Sequence, residues 1–383
     1  MKFRCERDSL VEVLTTAGRA VSARTSTMAL GGIRIEAAGN HLAVVGTDLD
    51  LTVHVSTEAI GITDGVCVAP AKLLADIVRS LEPGAVTIEA EGEKVEIGAA
   101  RSRFSLRTFP VDDFPSLPEP PQPATFLPAG SLASALRQVV RAASSDDARP
   151  LLTGVLIAAE GSGVRMVATD SYRLAMRDID GSDALADNSQ ILVPARALAE
   201  LQRLSLMGAA TKESAPSGDE GGTDGAGATV GLSVGEHDVT FTAGGVKVST
   251  RLLDGSYPDY RQLIPAEYPN RLHVGKDSLL DALRRVRLLV RDNTTPVRLS
   301  MRPGGVDLTV VSQEVGDASE TVDADFDGSE LTIAFNPTYL IDGVEAVTGD
   351  EVVLETVDAT KPATVRAAEE TNFHYLLMPV RVS

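Results

Sequence analysis

Three segments of the chain share one design: FRCERDSLVEVLTTAGRA (3–20), FLPAGSLASALRQVVRAA (126–143) and LHVGKDSLLDALRRVRLLV (272–290). Each reads as a short strand followed by Ser-Leu opening an amphipathic helix, with Leu14, Leu136 or Leu283 four residues beyond Leu10, Leu132 or Leu279. A second helix recurs downstream in VAPAKLLADIVRSL (68–81), VPARALAELQRLSL (193–206) and AFNPTYLIDGVEAV (334–347). Pro70, Pro194 and Pro337 stand at the start of each, where a missing N–H does no harm. From Ser9 to Pro70, Ser131 to Pro194 and Ser278 to Pro337 the spans are 61, 63 and 59 residues. A repeat of that regularity decides the architecture before any motif does.

Between the helices the sequence alternates apolar and polar residues, as in HLAVVGTDLDLTVHV (41–55), VRMVATDSYRLAMRDI (164–179) and EVVLETV (351–357). Period-two alternation broken by turn residues is the mark of antiparallel sheet. The fold class is therefore α+β, with three repeated domains of two helices and about eight strands each. The expected boundaries are 1–124, 125–267 and 268–383. DDFPSLPEPPQPATF (112–126) and IPAEYPNRL (264–272) serve as linkers, and a Gly-, Ser- and acid-rich flexible insertion falls at 208–228 in the second domain. Asp8 and Asp277 are the expected helix N-caps, and Ser9 with Glu12 and Ser278 with Asp281 have capping-box spacing.

A length of 383 residues suits two or three domains. MKFRCERDSL has no apolar core of a leader peptide, and no apolar run approaches the roughly 20 residues that cross a bilayer. Two cysteines, Cys5 and Cys67, without metal-like spacing, fit small buried thiols in a reduced cytoplasm. A net charge of −19, spread evenly, would repel nucleic acid. The charge is not even. The six helices carry eleven basic residues, among them Arg19, Lys72, Arg79, Arg137, Arg141, Arg196, Arg203, Arg284 and Arg285, against seven acidic ones. They total +4 and leave −23 elsewhere. Slightly basic helices on one face of an acidic body suit loose, sequence-independent contact with a polyanion.

Catalytic signatures are weak. GLSVG (231–235) matches a nucleophile elbow in letters, but the alternating EHDVTFTAGGVKVST that follows makes Ser233 a strand residue. Asp48 and Asp50 fall on one face of an expected strand without a third metal ligand, the five histidines show no ligand spacing, and no phosphate-binding GxxxxGK[ST] occurs. The expectation is a binding protein with no catalytic residues, no metal and no cofactor.

Several ordered stretches resemble the bacterial sliding clamp family, the β subunit of DNA polymerase III: MKFRCERDSL, GTDLDLTV (46–53), RSRFSLRTFPVDDFPSLP (101–118), ATDSYRLA (168–175), LLDGSYPDYRQLIP (252–265), FNPTYLIDGV (335–344) and YLLMPVRV (375–382). The resemblance covers the chain apart from the insertion. It implies a ring-shaped head-to-tail homodimer, with helices lining a central hole and antiparallel sheets outside, encircling double-stranded DNA without reading sequence. It implies a processivity factor that tethers the polymerase III α subunit and is served by a clamp loader, with other polymerases and repair proteins docking through short peptides. Carried over by residue, the peptide pocket would use Leu152, Thr169, Ser171, Tyr172, Arg173, Leu174, Pro258, Gln262, Leu263, Tyr339, Pro362 and the tail Leu376, Leu377, Met378, Pro379, Val380 and Arg381. DNA contacts would come from Arg24 and the helix residues Lys72, Arg79, Arg137, Arg141, Arg196, Arg203, Arg284 and Arg285. Phe104, Leu288 and Leu289 would form the dimer seam. Two alternatives stay open here: a specialised second clamp with other clients, and a protein-only interaction scaffold.

Overall fold

The structure is a computed structural model, describing residues 1–22, 27–181, 184–186, 188–212, 228–291, 295–369 and 371–381, with the backbone alone for 205–212. The first repeat runs β1 (Lys2–Glu6), α1 (Arg7–Gly18), β2 (Gly32–Ala38), β3 (His41–Thr47), β4 (Leu51–Glu58), β5 (Ile60–Thr63), β6 (Gly65–Pro70), α2 (Ala71–Ser80), β7 (Ala85–Glu91), β8 (Lys94–Ala99) and β9 (Ser102–Arg107). The second runs β10 (Thr125–Pro128), α3 (Ala129–Val139), β11 (Gly154–Glu160), β12 (Gly163–Thr169), β13 (Arg173–Asp180), β14 (Gln190–Pro194), α4 (Ala195–Lys212), β15 (Thr229–Val234), β16 (Asp238–Ala243) and β17 (Val246–Arg251). The third runs β18 (Asn270–Gly275), α5 (Lys276–Val286), β19 (Val297–Arg302), β20 (Gly305–Ser312), β21 (Gly316–Asp327), β22 (Leu331–Phe335), α6 (Pro337–Ala346), β23 (Glu351–Thr356), β24 (Ala363–Ala367) and β25 (Phe373–Leu377).

The three-fold design extends to backbone hydrogen bonds. In each repeat the first amide of the first helix donates to the carbonyl just ahead of the strand that follows the second helix. The pairs are Arg7 to Gly84 (2.8 Å), Ala129 to Ala228 (2.8 Å) and Lys276 to Asp350 (2.8 Å). The first strand of each repeat ladders with that same strand: β1 with β7, β10 with β15, β18 with β23. These bonds explain why the expected caps are not used. The chain passes from strand to helix without a loop, Glu6 and Gly275 occupy the N-cap positions, and neither makes a side-chain capping bond. Asp8 and Asp277 sit in the first turn, as the second residue of each helix, where a carboxylate still favours the positive end of the helix dipole.

The chain forms two compact units, Met1–Gly130 with Arg196–Leu252, and Ser131–Ala195 with Leu253–Ser383. The division runs through the second repeat because its strands are shared out. β10, β15, β16 and β17 extend an eight-stranded sheet in the order β10-β15-β16-β17-β4-β3-β2-β6, while β11 to β14 begin a twelve-stranded one, β14-β11-β12-β13-β25-β24-β23-β18-β21-β20-β19-β22. In the first unit a further sheet, β5-β1-β7-β8-β9, packs with α1 and α2 around Phe3, Leu10, Leu14, Ile33, Ile35, Leu74 and Ile88, each no more than 1% exposed. Ala71, Leu74, Ala75 and Val78 set the buried stripe of α2 at the helical spacing, and truncating a residue such as Leu74 to Ala costs roughly 2–5 kcal/mol.

Other expectations meet the structure at particular residues. Ser233 pairs with Thr240 in the β15–β16 hairpin, so GLSVG forms no elbow. The 112–126 linker holds a 3-10 turn at Val111–Asp113 and its last residues already belong to β10, and the 264–272 linker runs into β18. The expected 208–228 insertion lies mostly outside the described residues, and its first part, to Lys212, continues α4. No helix among the described residues is long and apolar enough to cross a membrane.

Candidate peptide-binding groove and basic helices

The turn between β12 and β13 is built by Thr169 and Asp170. The Thr169 hydroxyl donates to Arg173 O (2.6 Å) and accepts from Ser171 N (3.2 Å), while Asp170 Oδ1 accepts from Tyr172 N (2.9 Å) and Arg173 N (3.0 Å). Ser171 takes a φ of 79°, a left-handed conformation that such side chain-to-backbone bonds stabilise. The last strand lies alongside. β25 pairs antiparallel with β13, Arg173 opposite Leu377 and Leu174 opposite Leu376, and the ladder continues with Met378 N donating to Tyr172 O (2.9 Å). Val380 N then donates to Ala334 O (2.7 Å), fixing the tail beyond the strand. Ala363 stands opposite Leu377, which brings Pro362 level with Met378.

The two faces of this ladder differ. Leu174 and Leu376 join Leu156, Val167, Leu192 and Tyr260 in a buried cluster beneath the 253–264 segment, which carries Pro258, Gln262 and Leu263. Leu174 and Leu376, buried at 2% and 3%, form a floor, with Leu152 at 8%, while Leu377, at 0%, faces the other side of the ladder with Arg173. Tyr172, Leu263 and Met378 form the exposed apolar edge, at 59%, 47% and 41%. Gln262 Nε2 donates to Asp259 Oδ2 (2.7 Å). Pro258 and Arg381 are exposed, and Pro379 is half-buried.

The Arg173 guanidinium, expected to face a ligand, is turned inward. Its Nε donates to Asp170 Oδ2 (3.0 Å), one terminal nitrogen bonds the Asp342 carboxylate of α6 and Tyr375 Oη (3.4 Å), and the other bonds the Arg141 carbonyl. Its carbon lies 4.4 Å from the centroid of the Tyr339 ring, and Tyr375 Oη donates to Tyr339 O (2.9 Å). Burial by itself would favour the neutral form, but Tyr375, Asp342 and Asp170 outweigh it and hold Arg173 above its ordinary range, fully charged. Tyr172 and Tyr339 stack with ring centroids 6.5 Å apart at 26°. Arg173 thus holds the turn, the tail and Tyr339 together. Asp170, Asp342 and Tyr375 are the partners that sequence reasoning missed. One signal was present: Thr47 follows Ser9 and Thr169 follows Ser131 by the same 38 residues, each starting a Thr-Asp pair.

That signal also corrects the reading of Asp48 and Asp50 as strand residues. They lie in the same turn one repeat earlier. Thr47 Oγ1 donates to Leu51 O (3.1 Å), Asp48 Oδ1 accepts from Asp50 N (3.2 Å) and Leu51 N (2.9 Å), and Leu49 has a φ of 81°. Asp48 also pairs with Arg196, so its carboxylate is committed.

The basic helix residues are largely paired within the protein. Arg79 binds Asp76 (2.8 Å) and Arg203 binds Glu200 (2.6 Å), which also takes Arg19 (3.3 Å). Arg141 and Arg284 share Glu345, each at 2.9 Å, and Arg285 binds Glu320 in a fork at 2.8 and 3.0 Å. Arg137 and Arg141 do not share a regular helix face, since α3 ends at Val139 and Arg141 lies in the 3-10 turn that follows. Lys72 and Arg137 are exposed and have no ion-pair partner among the described residues. Arg24 lies outside the described residues. Phe104 is 39% exposed on the open edge strand β9, Leu288 is 81% exposed beyond α5, and Leu289 is half-buried.

Three α+β repeats, lightly basic helices and an apolar-edged groove beside the final strand define a class of repeat protein that presents surfaces to partners. The chain matches the models of the DNA polymerase III beta subunit over its N-terminal (1–118), central (126–212) and C-terminal (261–381) domains, and it belongs to that family. It is 36% identical to the beta sliding clamp of Streptomyces coelicolor and 28% identical to that of Escherichia coli K12, each over the whole of both chains. Its fold is similar to the sliding clamp of Bacillus subtilis (TM-score 0.87, 29% identity) and to those of Bartonella birtlesii (0.89, 29%) and Pseudomonas aeruginosa (0.88, 27%), the last two bound to griselimycin, all covering 100% of both chains.

Proposed function

We propose that this chain works as a DNA sliding clamp: a non-catalytic, head-to-tail homodimeric ring around double-stranded DNA that tethers the polymerase III α subunit. On this reading it is opened by a clamp loader and receives other polymerases and repair proteins in the groove beside β25. The observation that carries the client site is the pairing of a closed floor (Leu174, Leu376) with an exposed apolar edge (Tyr172, Leu263, Met378) on a turn braced by Arg173. Such a groove buries the apolar anchors of a short peptide, while exposed backbone groups meet its polar frame. Two buried free thiols, Cys5 and Cys67, suit a reducing, cytoplasmic setting.

Dimer closure is favoured by two open strand edges of opposite charge. β9 ends the five-stranded sheet, and among the described residues Arg103 and Arg107 on it, with Arg101 beside it, have no ion-pair partner. The Gly316–Asp323 part of β21 pairs only with β20 among the described residues and carries Asp317, Glu320 and Asp323. Edges of that kind aggregate unless paired or blunted, and here each suits the other from a second copy. DNA contact falls mainly to Lys72 and Arg137, with the paired arginines in support, which suits a ring that must slide.

The test is fluorescence anisotropy with a Gln- and Leu/Phe-bearing clamp-binding peptide on the wild type and on Met378→Ala. Met378 is exposed, so its loss leaves the fold intact. Saturable binding, weakened about tenfold or more by the substitution and competed by griselimycin, supports the groove. Affinity unchanged by Met378→Ala removes it.

A further inference from the structure

The first unit holds a partly covered cavity on the side of its sheet away from the core. Lys247, His54, Val45 and Arg34 stand opposite one another across β17, β4, β3 and β2, and therefore share one face. The alternate residues Ile33, Ile35, Val44, Val53 and Val55 fill the core on the other side. The segment following β9 crosses this outer row. Phe114, only 7% exposed, Pro115 and Ser116 close over Arg34 and His54 to leave a cavity of about 250 Å³.

The charges around it are unbalanced. Lys247 stands opposite His54 on β17, beside the cavity and not in its lining, with no ion-pair partner among the described residues, and Arg34, which does line it, is bonded to Glu36 of β2 at 2.8 Å. β3 contributes the uncharged Val45, and Val68 of β6 lies opposite Arg34. The crossing segment contributes no charge to the lining, since Asp112 and Asp113 are exposed and lie outside it. Two cations and an imidazole thus face one carboxylate that is already engaged, within a chain of net charge −19. Burial first, then Lys247 and Arg34, push His54 down to about 4.

We propose that this cavity binds a small oxyanion, held by Arg34 and Lys247 with His54 taking up a proton on binding. A bound anion would reverse the repulsion that keeps the imidazole neutral. The volume lies below the roughly 300–1,000 Å³ of sites for drug-sized ligands, so the occupant is of the size of phosphate, sulfate or a short carboxylate.

The experiment is a histidine ring NMR titration of the intact chain from pH 3.5 to 8, with His54 assigned through His54→Gln. Sodium sulfate is compared with sodium chloride at equal ionic strength, since sulfate keeps its charge over this range. Phosphate and acetate form parallel arms that rank the oxyanions. The expected result is a His54 midpoint about one unit or more higher in sulfate than in chloride, with the other four histidines unmoved. The displacement should be lost in both Arg34→Gln and Lys247→Gln, and the use of two partly exposed positions keeps the test valid if one variant misfolds. A His54 that stays neutral in every salt overturns the proposal. So does a common shift of all five histidines, or a shift that survives both substitutions.

Discussion

Arg173→Ala tests whether the inward-facing guanidinium is the brace of the groove. The wild-type ion pairs are shielded, with side-chain exposures of 10% for Arg173, 9% for Asp170 and 23% for Asp342. Breaking a buried pair by removing one partner costs about 3–5 kcal/mol, because the other charge stays behind uncompensated. Asp170 keeps two backbone N–H donors and Asp342 can recruit water, so the lower end, about 3 kcal/mol, is expected. All six tyrosines (172, 257, 260, 268, 339 and 375) lie in the second compact unit and the chain has no Trp. Tyrosine fluorescence in urea therefore follows that unit alone, even where the chain does not unfold in one step. With m of roughly 3 kcal/mol/M, the midpoint should fall by about 1 M, with Arg173→Lys in between because lysine cannot make the fork. The double variant with Asp342→Asn should lose less than the sum of the two single changes. A midpoint moved by less than about 0.2 M would place Arg173 among exposed pairs worth under about 1 kcal/mol and refute the brace.

Glu345→Gln should free Arg141 and leave Arg284 with only Asp281 at 3.7 Å, lengthening retention on nicked circular DNA. It should steepen the salt dependence by up to about two counterions' worth, read from log K against log salt. His54, whose folded pKa lies below its unfolded value of 6.5, contributes stability above about pH 6.5 that is lost as pH falls towards 4. His54→Gln should flatten that acid limb in a melting-temperature series run in chloride. Phe104→Glu or Leu288→Glu should shift sedimentation from dimer to monomer without lowering the tyrosine-monitored midpoint.

The backbone plan was legible because it is local and repeated. The Ser-Leu helices, the prolines at the second helices and the alternating strands recur with nearly constant spacing, and each rests on periodicity within a dozen residues. What could not be read were choices made across the sheet. The net +4 on the helices suggested free positive faces, yet Glu345 neutralises two arginines and Glu320, on the distant β21, takes Arg285. Coulomb partners of this kind are far apart in sequence and adjacent only in the fold. Arg173 misled for the same reason: its polar partners Asp342 and Tyr375 come from the third repeat. Likewise the Asp8 and Asp277 caps were displaced by a long-range carbonyl that no local pattern encodes.

The two Thr-Asp turns argue that each chain offers one peptide groove, not two. Both use the same hydrogen bonds and the same left-handed third residue, and both are followed by a strand end whose amide bonds the turn: Met378 N to Tyr172 O at 2.9 Å, and Arg251 N to Asp50 O at 3.1 Å. The polarity of the brace is reversed. In the second repeat an arginine on the turn meets an aspartate on helix α6, whereas in the first an aspartate on the turn meets Arg196 on helix α4. The exposed tips differ more. Tyr172 stacks on Tyr339, whereas its counterpart is the acidic Asp50, and Arg251 stands where Met378 does. A peptide's Leu or Phe would find only Leu49 there, 50% exposed at the turn, in place of the three-residue edge of Tyr172, Leu263 and Met378, too little to offset the cost of ordering it. Calorimetric titration should accordingly give one peptide per chain, with Tyr172→Ala abolishing the heat and Asp50→Ala leaving it unchanged. Two sites per chain, or a loss caused by Asp50→Ala, would mean that the turn alone makes the groove and that the aromatic edge is dispensable.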